Sequence, residues 1–311
     1  MRATDKISVR AMCLKAMDNG FAAGSFSPRY LTNIGPVLRA AQNQESPVIV
    51  QISQNELNRF GCSCDAFAKE YRRCKQELGI RVPAALHLDH TKDLGVIREA
   101  VAAGFDSVMI DASEYELEKN ISIVREAVAY AHRYGVEVEA EIGKISSNDR
   151  IETDSTSELY TDPDEAARFV DETDVDLLAV SVGTVHGAYL ARKPYIELKR
   201  IAEIRERVQL PLVLHGASGV PADLVNAAIT LPGGGVSKIN IATDLEQAFL
   251  KALGRGESTT NKGVEDIGQE ELKQAHQAVM LVAEDKMEHY LLSSGRALIF
   301  GKGADENCGN H

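Results

Sequence analysis

Short apolar runs alternate with amphipathic segments along most of the chain. The runs fall at 21–26, 47–52, 84–89, 106–111, 136–142, 175–182, 210–215 and 236–241, and each predicts a strand. Helical periodicity fills the gaps at 31–44, 65–78, 94–103, 116–134, 163–172, 195–208, 222–230 and 243–253. Strands separated by helices pair in parallel through right-handed crossovers. Eight repeats of this unit fit an α/β chain folded as a (β/α)8 TIM barrel better than an open doubly wound sheet. No strand–G-x-G-x-x-G–helix element occurs, which disfavours a dinucleotide fold.

An extra helix at 7–19 precedes the first strand, and a helical extension at 269–292 follows the eighth. Either caps the barrel or mediates assembly. The polar stretches 146–158 and 254–268 lack apolar periodicity and read as loops. No linker divides the chain, so residues 1–311 are expected to form a single barrel domain.

Composition narrows the class. Of 311 residues 44% are hydrophobic, enough for a large core, yet no run approaches the roughly 18 apolar residues of a membrane span. A net charge of −12 argues against nucleic acid as a partner. It leaves room for a small phosphorylated substrate, because helix N-termini and backbone amides supply local positive potential. Five cysteines without an export pattern point to a reducing cytoplasm, and Cys62-x-Cys64 with Cys74 lacks zinc-site spacing.

The polar residues then collect at one end of the predicted barrel. Asp89 and His90 end strand three, Asp111 strand four, and Glu139 and Glu141 strand five. His186 follows strand six, His215 ends strand seven, and Asn240, Thr243 and Asp244 follow strand eight. In this fold the C-terminal ends of the strands build the active site. Three imidazoles with an open fourth position suit a catalytic zinc. Burying several carboxylates beside them is expensive without compensation, which a cation would supply. Asp111 and Glu141 read either as carboxylates that orient the histidines or as ligands of a second cation, divalent or monovalent. His87, deeper along strand three, reads as structural, and Glu137 as an ion-pair partner.

Two loops have the look of a phosphate cradle. His215-Gly216-Ala217-Ser218-Gly219 and Asn240-Ile241-Ala242-Thr243-Asp244 each place small residues and a hydroxyl between a strand and the next helix. Loops after strands seven and eight commonly hold phosphate in this fold.

At these residues the sequence resembles the class II, metal-dependent ketose-bisphosphate aldolases, nearest the tagatose- and fructose-bisphosphate branch. The matching segments run in order: Leu-His-Leu-Asp-His (86–90), Ser-Val-Met-Ile-Asp-Ala-Ser (107–113), Val-Glu-Ala-Glu-Ile-Gly (138–143), Gly-Thr-Val-His-Gly-Ala-Tyr (183–189), Leu-His-Gly-Ala-Ser-Gly (214–219) and Lys-Ile-Asn-Ile-Ala-Thr-Asp-Leu (238–245). The resemblance implies that His90, His186 and His215 bind zinc and that Asp89 donates and accepts the proton. It implies phosphate-ketose contacts from Ser53, Gly187, Gly216, Ala217, Ser218, Asn240, Ile241, Ala242 and Thr243. In two-metal members Asp111 and Glu141 match the second-site ligands. A homodimer or homotetramer is the common assembly. The implied reaction splits a phosphorylated ketose into dihydroxyacetone phosphate and an aldehyde, with Asn240 orienting the enediolate.

The chain also departs from the family pattern. Where the family carries Gly-Gly-x-Glu-Asp after strand five, this chain reads Ser146-Ser147-Asn148-Asp149-Arg150-Ile151-Glu152. Ser25-Phe26-Ser27 replaces an Ala-Phe-Asn-like segment. A longer or acidic sugar phosphate, such as a keto-deoxy-gluconate phosphate, is therefore an alternative substrate, with Arg150 as its anion contact. A Schiff-base lysine (Lys144 or Lys238) and a non-catalytic companion subunit are the remaining rivals. The second is disfavoured because all three histidines and Asp89 are present.

Overall fold

Strands buried on both faces need apolar side chains at successive positions, and the eight predicted runs meet that requirement. They form β1 (Ala23–Phe26), β2 (Val48–Ser53), β3 (Ala84–Thr91), β4 (Ser107–Ile110), β5 (Glu137–Ile142), β6 (Leu177–Val180), β7 (Leu212–Leu214) and β8 (Val236–Ile241). Each pairs in parallel with its sequence neighbour, and β1 with β8, so the sheet closes into the expected barrel. The computed structural model describes residues 8–143, 160–185 and 193–301.

The helices follow the predicted periodicity. They are α1 (Val9–Asp18), α2 (Ile34–Asn43), α3 (Gln54–Phe60), α4 (Cys64–Glu77), α5 (Leu94–Ala103) and α6 (Leu117–Ala131). The second half adds α7 (Pro163–Thr173), α8 (Leu198–Arg205), α9 (Ala222–Ile229), α10 (Thr243–Ala252), α11 (Asn261–Glu265) and α12 (Gln269–Asp285). Two short helices were not expected. Ser53 and Glu56 cap α3 reciprocally, and Thr260 caps α11 inside the stretch read as a loop. Both are too short to show a helical period.

Two apolar layers hold the barrel together. Outside, strand residues such as Val50, Leu86, Val138 and Ile239 pack against the helices. Inside, Ala23, Ile49, Ala85, Met109, Leu177, Ala179 and Val213 form a separate cluster with Val9, Met12 and Cys13 of α1. Helix α1 is thus a plug under the N-terminal end of the barrel. Glu137, at the start of β5, fixes it by accepting hydrogen bonds from Ser8 Oγ and the Arg10 amide. The C-terminal segment is a cap on the outer wall. The Tyr290 hydroxyl, in the π turn after α12, donates to the Ala217 carbonyl. No helix of the described residues is long and apolar enough to cross a membrane.

Because the plug fills the base of the barrel, Met12→Ala leaves a cavity that the surrounding strands cannot collapse into. We expect a loss of about 2–5 kcal/mol in urea unfolding. Wild-type stability in that variant would show that α1 is not part of the core.

Candidate active site at the C-terminal mouth

Strict alternation along β3 would send Asp89 inward and His90 outward. The strand avoids this with a bulge. Leu88 pairs with Val108 and Thr91 with Ile110, so two β3 residues oppose the single Met109. His90 takes φ 34°, in the left-handed region that side-chain-bearing residues seldom adopt. The result brings Asp89 and His90 together onto one cavity of about 220 Å³. Its lining also includes Ser27, Arg29, Gln51, Ser53, Glu56, Gly216, Ala217, Ser218, Asn240, Ala242 and Thr243.

The expected residues converge there. The His90 and His215 rings lie 4.5 Å apart between centroids. His90 Nδ1 is 2.9 Å from Asp111, whose other oxygen accepts from Ser113 Oγ at 2.7 Å. His215 lies between two glutamates, with Nε2 3.0 Å from Glu139 and Nδ1 3.1 Å from Glu141. Gly216 follows at φ 65°, and a Cβ there would stand 2.4 Å from the Val185 carbonyl oxygen, so only glycine lets the loops after β6 and β7 touch. Ile241 differs from the other expected contacts. Its side chain joins the outer apolar shell, and its carbonyl accepts from the Ser27 amide. His186, Gly187, Lys144 and the stretch 146–158 lie outside the described residues.

Beneath the mouth lies a buried polar network that the sequence did not announce. Lys238 Nζ pairs with Glu139 at 3.0 Å, both side chains fully buried, and donates to Asn240 Oδ1 at 2.8 Å. Asn240 Nδ2 in turn donates to Asp89 Oδ1 at 2.9 Å, and Gln51 Nε2 to Asp89 Oδ2 at 3.0 Å. Ser25 Oγ donates to Gln51 Oε1, which fixes the amide orientation. Both oxygens of Asp89 are therefore held by neutral donors from β2 and β8. Gln51 is among the residues missed, with Arg29 and Glu56 of the same lining. Its place on β2, one alternation from Ser53 and opposite His87, was the available signal.

The charges explain the ionisation. Burial raises Asp89, but His90, His215 and Lys238 outweigh it and hold the carboxyl below its usual range. Glu139 is likewise lowered: Lys238 and His215 overcome its burial. Burial opposes charge on His90, yet Asp89, Asp111 and Glu141 lift it to about 10. His215 is raised against burial and the His90 charge by its two glutamates. Burial and then Asp111 push Glu141 up.

A cation fits this chemistry. Ligand atoms of Asp89, His90 and His215 lie within 4.8 Å of one another, as do those of His90, Asp111 and Glu141. Asp89, Asp111, Glu139 and Glu141 crowd around the two imidazoles, and that negative surrounding raises both His90 and His215 above the usual histidine range. A divalent ion would replace the protons they hold. Lys238 itself does not suit a Schiff base, since it is ion-paired beneath the cavity and absent from its lining.

A class II fructose-bisphosphate aldolase family model matches residues 7–296. The chain belongs to that family. This aldolase, a lyase, is similar to the YdjI aldolase of Escherichia coli K12, with 31% identity over 93% of this chain and 98% of that one, at a TM-score of 0.79. It is also similar to the fructose-bisphosphate aldolase of Campylobacter jejuni, with 25% identity over 91% of this chain and 95% of that one, at a TM-score of 0.74. Class II aldolases are metal-dependent, which agrees with the histidine–carboxylate clusters.

Two outcomes test the network. Lys238→Met leaves buried Glu139 with His215 as its remaining partner of opposite charge, and we expect a loss of about 3–5 kcal/mol in denaturant unfolding. Adding Glu139→Gln should recover part of it, and no loss in the single variant would contradict the pairing. The second outcome concerns pH. Burial, with the Lys238 charge, pushes His87 from 6.5 down to about 4, so it stays neutral in the fold. Between those values the unfolded chain binds the extra proton, so stability falls as the pH drops from 6.5 towards 4, by up to about 3 kcal/mol. In metal-free protein His87→Gln should flatten that fall, and an unchanged slope would contradict it.

Proposed function

We propose that this aldolase cleaves, or forms, the carbon–carbon bond of a phosphorylated ketose, with dihydroxyacetone phosphate and an aldehyde as the products. The observation that carries the reading is Asp89. Its carboxylate is buried, ionised, oriented by Gln51 and Asn240, and shares one cavity with His90 and the loops after β7 and β8.

The phosphate is placed against those loops. Gly216, Ala217 and Ser218 follow β7, and Thr243 opens α10, whose N-terminal amides and dipole favour an anion. The acidic residues of the first turn of α10 do not oppose this at full strength. Asp244 pairs with Lys286 at 2.8 Å, and Glu246 pairs with Arg29. Ser53 lines the far wall, where its hydroxyl accepts from the Glu56 amide at 3.2 Å and keeps its own proton to donate.

His90 and His215, with Glu141 and Asp111 beside them, would hold the metal, and zinc suits imidazole donors of this kind. When bound, it supplies Lewis-acid stabilisation of the negative charge that develops on the ketose oxygens. His186 is the third ligand by family resemblance. Asp89 takes the proton from the hydroxyl on the carbon that becomes the aldehyde. The bond to that carbon breaks, the electron pair moves into the enediolate, and the aldehyde departs. In condensation Asp89 returns the proton. Asn240, held by Lys238, donates to Asp89 and keeps it turned toward the cavity. The acid that protonates the enediolate carbon is assigned to the 146–152 stretch, where Asp149 and Glu152 offer carboxyl groups.

Asp89→Asn keeps the size of the side chain but removes the base and leaves one of the two amide donors facing an NH2 group. We expect kcat to fall by about 10²–10⁴-fold in a dihydroxyacetone phosphate release assay. A chelator should abolish wild-type activity, with zinc restoring it. Activity within threefold of wild type in the variant, or indifference to the chelator, would overturn the reading.

A further inference from the structure

The cavity wall between β1 and β2 takes no part in the proton transfer described above, yet it holds the least ordinary side chain in the lining. Arg29 sits at φ 61° just past β1, with its side chain 16% exposed. Its Nε donates to Glu56 at 3.0 Å and its Nη1 to Glu246. Glu56 also accepts from Ser27 Oγ at 2.7 Å and the Ser53 amide at 3.0 Å. Glu246 also accepts from Ser258 Oγ at 2.6 Å and the Tyr30 hydroxyl at 3.2 Å. The guanidinium is thus clamped by carboxylates from α3 and α10. Its Nη2 makes no hydrogen bond among the described residues, although Arg29 lines the cavity. A purely structural clamp accounts for Nε and Nη1 but leaves that pair of donors without a task.

Charge decides what those donors can take. One guanidinium against two carboxylates leaves this wall at −1. A second phosphate would meet net repulsion there, whereas an uncharged hydroxyl oxygen accepts from Nη2 without that penalty. In the proposed reaction the ketose phosphate rests at the loops after β7 and β8 and the reacting bond lies at Asp89. The remaining carbon chain then runs toward Ser27, Arg29 and Ser53. Resting on that reading, we propose that Arg29 determines specificity for the aldehyde half, donating through Nη2 to a hydroxyl of an uncharged polyhydroxy aldehyde. The substrate is accordingly a ketose carrying one phosphate, not two.

The test uses zinc-loaded enzyme with dihydroxyacetone phosphate and three aldehydes: glyceraldehyde, glyceraldehyde 3-phosphate and propanal. Deuterium exchange into dihydroxyacetone phosphate is followed in parallel. We expect kcat/KM for glyceraldehyde to exceed that for its phosphate by at least about tenfold. Arg29→Gln should raise KM for glyceraldehyde about tenfold, the effect of losing hydrogen bonds from a charged donor. Its effect on KM for propanal, which has no hydroxyl, should be clearly smaller. Glu246→Gln, which brings the wall to neutrality, should narrow the discrimination against the phosphate. The wild-type preference stands as a test even if a variant fails to fold. Preference for glyceraldehyde 3-phosphate, or equal damage to all three aldehydes in Arg29→Gln, would overturn the role of Arg29 while leaving the aldolase intact. Absence of both exchange and condensation in wild type would overturn the aldolase reading and this one with it.

Discussion

Carboxylates do not stay buried unless something meets them. Asp89, Glu139 and Glu141 are buried within a few residues of the same barrel rim, with Asp111 beside them, and most of the site's architecture follows from satisfying that requirement. Lys238 answers Glu139 from below, and His215 bridges Glu139 and Glu141. Asp111 holds His90, while Gln51 and Asn240 hold Asp89. A single connected network therefore fixes the base, both imidazoles and the amide that contacts the base. Lys238 holds Glu139 and Asn240, and Asn240 holds Asp89, so Lys238 belongs to the site although it lines no cavity.

The same network explains how the fold separates stability from chemistry. The N-terminal end of the barrel is sealed with apolar side chains from α1 and the strand starts. Inside the barrel the titratable groups above that seal include His87, Glu139 and Lys238, and those nearer the mouth include Asp89, Glu141 and His215. Burial holds His87 neutral, whereas at Glu139 the neighbouring Lys238 and His215 overcome burial and keep the carboxylate charged. The bulge in β3 adds the final adjustment. It turns His90 toward His215 at the expense of one left-handed backbone position.

Much of this was legible in the sequence, for definite reasons. Parallel barrel strands are buried on both sides and read as unbroken apolar runs, so all eight were found within a few residues of their ends. Asp89, His90, Asp111, Glu141, His215, Asn240 and Thr243 stood out because polar groups at strand ends break that pattern. Other features left no local trace. The bulge in β3 has no glycine to mark it, and α3 is too short for a period. Gln51 is uncharged, and its role appears only once β2 and β3 are in register. Arg29 depends on partners 27 and 217 positions away, a pairing that no window along the chain can reveal.

Anomalous diffraction at the zinc edge, from crystals of the metal-loaded aldolase with dihydroxyacetone phosphate, bears most directly on the convergence of these groups around one ion. A single peak should lie about 2.0–2.1 Å from a ring nitrogen of each of His90 and His215. The phosphate should rest against Gly216–Ser218 and Thr243, with Asp89 still held by Gln51 and Asn240. A peak remote from both imidazoles, or a phosphate bound away from those loops, would contradict the assignment.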